Sequence, residues 1–114
     1  MELDYLGSVE AWEPNPGVYV VTARGPIDER MTGDLESVLV PLAAADGTLL
    51  VVDLDDAHGI DVAALDVLGR AAHLAACRGG RMRIVTQRDS TLDVIRDCGL
   101  GELVDCVARL ELQA

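Results

Sequence analysis

Four aspartates and a histidine crowd one short stretch, Asp53, Asp55, Asp56, His58 and Asp61, and clustered carboxylates are what hard cations bind. The spacing does not build a calcium loop. Counted from Asp53, the sixth position is His58 where the loop needs Gly, and the twelfth is Ala64 where it needs Glu. No metal is therefore expected. His58 beside Asp61 has the composition of an acid/base pair, since a carboxylate at a helix start can orient an imidazole. It has nothing to activate: Val62, Ala63 and Ala64 carry no hydroxyl or thiol. A histidine bonded to its surroundings is the simpler reading, and His73 reads as a surface or packing residue of a helix.

Nucleotide chemistry finds no support either. Neither GxGxxG nor GxxxxGK[ST] occurs, and Gly79-Gly80 closes a helix where a phosphate cradle would have to open one. Cys77, Cys98 and Cys106 match no zinc or CxxC spacing and cannot all pair within one molecule. They read as ordinary reduced thiols, buried and structural by default, with a regulatory disulfide between Cys77 and Cys98 as the minor alternative. The sequence thus predicts a protein that is not an enzyme and holds no cofactor.

Composition points the same way. The 114 residues make one domain, spanning 1–114, with room for a single core. Phe is absent and aromatics are 3%, so that core must be Leu, Val, Ile and Ala, the usual filling of packed α/β layers. A formal net charge of -11 argues against nucleic acid and anionic membrane surfaces as partners, since both need Lys and Arg to replace counterions. A basic protein partner suits it better. No apolar run approaches the roughly 18 residues of a membrane span, so direct membrane insertion is not expected. Met1-Glu2-Leu3-Asp4 is acidic where a signal peptide is basic, which predicts a cytoplasmic protein.

The elements that must position these residues can be read in order. Tyr5 to Trp12 resembles an edge strand, Glu13-Pro14-Asn15-Pro16-Gly17 a turn, and Val18 to Ala23 a deeper antiparallel strand ending at Gly25-Pro26. Leu35, Val38, Leu39 and Leu42 then mark a helix face, with Pro41 predicting a kink near Ser37 or a break. Thr48 to Leu54 is almost wholly apolar and predicts a central strand buried on both faces.

Asp61 to Arg78 predicts the next helix, with Asp61 as N-cap, a stripe of Leu65, Leu68, Ala72, Ala75 and Ala76, and Gly79-Gly80 as the stop. Arg81 to Thr86 alternates like a strand parallel to the one before. Ser90-Thr91-Leu92-Asp93 resembles a capping box opening a short helix with Leu92, Ile95 and Cys98. Leu103-Val104 is a candidate last strand, and Val107 to Ala114 reads equally as a short helix or a frayed end. The order β-β-α-β-α-β-α-β predicts an α/β fold, an N-terminal hairpin leading into βαβ units of a mixed sheet.

Taken together, this organisation resembles the STAS domain family, whose small bacterial members include anti-sigma factor antagonists. The resemblance rests on Gly25-Pro26-Ile27-Asp28, similar to the family's Gly-x-Leu-Asp; on the strand Leu49 to Leu54; on Ile60-Asp61-Val62-Ala63-Ala64-Leu65, similar to its Asp-Ser-Ser/Thr-Gly-Leu; on Gly79-Gly80; and on Ser90-Thr91-Leu92 through Cys98-Gly99-Leu100. From Val51 to Gly80 the spacing runs without a gap. The resemblance implies a mixed sheet with helices packed on one side. It also implies a partner, a kinase-like ATP-binding anti-sigma factor that phosphorylates a Ser or Thr at the helix start and is bound by the unmodified protein.

Carried onto this chain, the phosphorylated position falls on Ala63, the preceding Ser on Val62 and the Gly on Ala64, while Asp61 and Leu65 are kept. Phosphate there would add nearly two negative charges beside several aspartates, and Ala63 cannot accept it. The expectation is a phosphorylation-independent antagonist that binds through Asp28, Asp61, Val62, Ala63 and Ala64. The alternative is a STAS accessory subunit of an ABC-type transport ATPase. The sequence leaves a homodimer open.

Overall fold

The computed structural model describes residues 8–97 and the backbone of residues 104–107. Two strands open the chain, β1 (Ser8–Asn15) and β2 (Val18–Pro26), joined by a turn at Pro16-Gly17 and paired antiparallel from Ser8↔Arg24 to Asn15↔Val18. Then follow α1 (Glu29–Ala43), β3 (Leu49–His58), α2 (Val62–Cys77), β4 (Arg81–Val85), α3 (Asp89–Asp97) and β5 (Val104–Val107). The element order read from the sequence is the observed one. The first strand lies later than expected, running to Asn15, and Tyr5 is outside the described residues. The last runs to Val107, so that residue belongs to a strand; the rest of the predicted tail is outside the described residues.

The sheet is mixed and five-stranded, in the spatial order β1-β2-β3-β4-β5, with every pair after the hairpin parallel. Each crossover therefore steps to the next neighbour in the same direction. Because βαβ crossovers are right-handed, α1, α2 and α3 are carried to one face.

That arrangement decides how β3 is buried. Leu50, Val52 and Leu54 are sealed under the helices, while Leu49, Val51 and Asp53 on the opposite face are half-buried. The expectation of a strand buried on both faces is corrected: an apolar run satisfies a two-sided strand, but helices cover only one side here. The uncovered side also carries Val20 against Val51, and Trp12 against Val20, with Trp12 58% exposed.

The core is aliphatic, as the lack of aromatics requires. From α1 it takes Met31, Leu35, Leu39 and Ala43, a strict four-residue repeat, and Val38 and Leu42 pack partly against it. From α2 it takes Ala64, Val67, Leu68, Ala71, Ala72 and Ala75. The expected α2 stripe is thus rotated. Leu65 is only half-buried and Ala76 is exposed, while the small residues Ala64 and Ala71 hold the centre of the face. Size misleads in such a stripe, because alanines let a helix approach its neighbour where a leucine would hold it away.

Three local features complete the frame. The helix α1 passes through Pro41 to Ala43, so of the two expected outcomes, a kink near Ser37 or a break, the break does not occur. Pro41 stands in the last turn on the exposed side, where its missing amide leaves the carbonyl of the exposed Ser37 without its helical donor and adds it to the carbonyls that a helix end leaves to solvent. Gly80 has no room for a side chain, since a Cβ there would run into the Thr48 backbone, to which Arg81 N donates at 3.0 Å. Helix α3 begins at Asp89, one residue before the predicted cap. The Arg88 carbonyl accepts from Thr91 N and Leu92 N, both at 3.1 Å, and Arg88 N donates to the buried Thr86 hydroxyl at 3.1 Å. Ser90 is therefore inside the helix, and Thr86 orders the turn instead. Cys98 lies outside the described residues.

Candidate docking site

The carboxyl ends of β2 and β3 are side by side, in register at Pro26↔His58, and Ile27 N donates to the His58 carbonyl at 2.8 Å. Each strand then turns directly into a helix. Asp28 and Asp61 occupy the two N-caps, each in extended backbone conformation, and each Oδ1 accepts an amide three residues on: Met31 N and Ala64 N, both at 2.9 Å. Both carboxylates remain exposed. The expectation that Asp28 and Asp61 meet at one end of the sheet therefore holds at the level of the backbone. Gly59, at φ 72, supplies the left-handed residue that lets the chain leave β3 and reach Asp61.

Beyond Asp61 the residues part company. Val62 is 82% exposed and Ala63 is exposed too, while Ala64 is 1% exposed. Ala64 is thus removed from the expected docking ridge: it shares the helix face of Leu68, Ala71 and Ala75 at spacings of four, seven and eleven, and so is turned into the core. The surface at this end is Asp28, Asp61, Val62 and Ala63. Val62 and Ala63 are an exposed apolar pair directly after the Asp61 cap.

The remaining acids of the cluster are used in holding this end together. Between Thr22 and Arg24 on one strand, and Asp53 and Asp56 on the other, the β2–β3 register slips by one residue. Asp53 Oδ1 accepts from Asp55 N at 3.0 Å within that irregularity. Asp55 Oδ1 accepts from Gln87 N at 2.7 Å, and the Asp55 carbonyl accepts from Arg88 Nε at 3.1 Å, tying the end of β3 to the connection between β4 and α3. Arg24 is salt-bridged to Glu10 at 2.8 Å and lies 3.9 Å from Asp56. Among the described residues no group of three or more His, Cys, Asp or Glu could hold a metal ion. His58 is exposed at the last position of β3, and His73 is exposed on α2.

Sequence reasoning missed these ties because the partners lie far apart in the chain and none belongs to a recognisable motif. It also missed the link between the two capped helices. Arg70 on α2 reaches Glu36 on α1 at 2.8 Å and Asp66 at 3.1 Å, and these carboxylates, Glu36 first, raise its guanidinium pKa further. Both helices are thereby held against each other on their outer sides, as well as through the core.

The fold defines an α/β domain, a mixed five-stranded sheet entered through an antiparallel hairpin, with helices in its crossovers. The chain belongs to the STAS domain family, which it matches over residues 11–112. Its fold is similar to that of an anti-sigma factor antagonist from Mycobacterium paratuberculosis, at 23% identity, covering 88% of this chain and 84% of that one with a TM-score of 0.74. It is similar also to the Bacillus cell fate determinant SpoIIAA in its phosphorylated form, at 12% identity, covering 92% and 96% with a TM-score of 0.72. The unphosphorylated form of the anti-sigma factor antagonist SpoIIAA gives 16% identity, 92% coverage of each chain and a TM-score of 0.70. No curated protein sequence is matched. No helix among the described residues is long and apolar enough to cross a membrane.

Proposed function

We propose that this protein is a non-catalytic anti-sigma factor antagonist that binds a kinase-like anti-sigma factor through Asp28, Asp61, Val62 and Ala63 and is not phosphorylated there. The observation that carries the proposal is the exposure of Val62 and Ala63 immediately after the Asp61 cap. An exposed Val at a helix start gains nothing for the folded chain, whereas covered by a partner it would remove its apolar surface from water. The fold likeness to anti-sigma factor antagonists and the family match support the same reading. On this reading the protein works in the cytoplasm, and its docking surface is not switched off by phosphate.

The test is to mix the purified protein with ATP and a kinase-like anti-sigma factor from the same genome, scoring complex formation and phosphate incorporation together. A stable complex without phosphate is expected. Val62→Asp, which adds a third carboxylate to the surface, should weaken the complex by more than about tenfold, the scale of a small hot spot. Ala63→Ser should make the protein a phosphate acceptor. Phosphate incorporated into the native protein on Ser90 or Thr91, or the lack of any complex, would overturn the proposal.

A further inference from the structure

At the opposite end of α2, His73 and Cys77 stand one helical turn apart, both exposed, with His73 Nε2 3.7 Å from Cys77 Sγ. We propose that this pair is a two-donor site for a thiophilic, borderline divalent cation of the zinc class. Imidazole nitrogen and thiolate sulfur are the donors that zinc prefers, and residues four apart on a helix face the same way. The separation of the donors suits a shared ion. With zinc about 2.3 Å from sulfur and about 2.0–2.1 Å from nitrogen, donors this far apart subtend roughly 115° at the metal, close to the tetrahedral angle of about 109°.

The surroundings favour a cation as well. The last turn of α2 carries no basic side chain, so the negative end of the helix dipole faces the site unopposed from within the helix. The guanidinium groups on α2 and at its C-cap are engaged elsewhere: Arg78 with Asp46 at 3.5 Å, and Arg70 with Glu36 and Asp66. A protein with a net charge of -11 adds a general attraction for cations. Two protein donors hold the ion, and solvent completes the shell.

His73 and Cys77 stand roughly 16 and 22 Å from Val62 along the helix axis, since a helix rises about 1.5 Å per residue. Occupancy of the site is therefore separate from the docking surface. Binding requires the thiolate and the neutral imidazole, so it weakens as pH falls.

The test uses the reduced protein, titrated with zinc chloride by calorimetry and with cobalt(II) by absorbance. A single site is expected, with a thiolate-to-cobalt charge-transfer band. Cys77→Ser should abolish the band. His73→Ala should weaken zinc binding by more than about tenfold, since even outer-shell partners of a metal are worth that much, and His73→Cys should restore it by replacing one donor with another. Cys98→Ser and Cys106→Ser should keep both signals. Because both donors are exposed, thermal unfolding of the apo variants should match the parent, which separates lost binding from lost folding. A band that survives Cys77→Ser, zinc affinity unchanged in His73→Ala, or no cobalt–thiolate band at all would overturn the assignment.

Discussion

The two helices that start side by side at the carboxyl end of the sheet have the same cap and opposite displays. In each, an aspartate in extended conformation accepts the amide three residues on at 2.9 Å, and that third residue, Met31 or Ala64, is buried. Between cap and buried residue, α1 places Glu29 and Arg30, while α2 places Val62 and Ala63. Charged side chains at an exposed helix start are satisfied by water, and Arg30 is further paired with Asp34 at 2.9 Å. The apolar pair on α2 has no such satisfaction. One start is finished by folding alone, and the other is left with surface to cover. Capping geometry is thus a property of the fold, and the two intervening residues carry the difference in what each helix start presents to solvent.

The largest effects are expected at the buried residue that anchors each helix start. Met31→Ala leaves a cavity under α1 and should lower unfolding stability by about 2–5 kcal/mol in urea denaturation. Ala64→Leu tests the other anchor from the opposite direction, because its site is already filled by close approach of the helix. Overpacking there should cost about 1–3 kcal/mol. If Ala64 belonged to an exposed ridge, the larger side chain would be tolerated with no stability change.

That second substitution also marks what the sequence could and could not show. Element order, the mixed sheet, the Asp61 cap and the stop at Gly79-Gly80 are all encoded locally, in periodicity and turn chemistry, and so could be read. Facing was harder. Ala64 enters the expected docking surface through the resemblance of Asp61-Val62-Ala63-Ala64-Leu65 to the family's Asp-Ser-Ser/Thr-Gly-Leu, but which side of a helix is buried depends on the neighbour it packs against, and small residues give a weak periodic signal. The uncovered side of β3 was hidden for a related reason, since Leu49 and Val51 are as apolar as their sealed neighbours. The ties from Asp55 to Gln87 and Arg88 were not legible at all, because only the parallel pairing of β3 with β4 brings those positions together.

The caps themselves should be equivalent for stability. Asp28→Ala and Asp61→Ala each remove one acceptor from a helix start and should each cost about 1 kcal/mol, within a range of roughly 0.5–2, whereas the Asn variants keep the acceptor and should lie near the parent. Equal losses in thermal or chemical unfolding would confirm that the two starts share one structural role. A clearly larger loss at Asp61 would mean that its carboxylate does more for the fold than accept the Ala64 amide.

Substitutions at the exposed first positions of α1 and α2 should barely affect folding and should differ in binding. Val62→Ala removes two methyl groups that are already in water, so unfolding stability should stay within about 0.5 kcal/mol of the parent. Glu29→Ala, at the matching position on α1, should be similarly mild. The two variants should part only when a partner is present: the Val62 variant should bind the anti-sigma factor more weakly, and the Glu29 variant much less so. Loss of stability in Val62→Ala would mean that this side chain supports the fold, and then its exposure could no longer be taken as a sign of docking. Equal binding losses at both positions would mean that the partner reads the acidic end of the sheet as a whole, with no special role for the apolar pair.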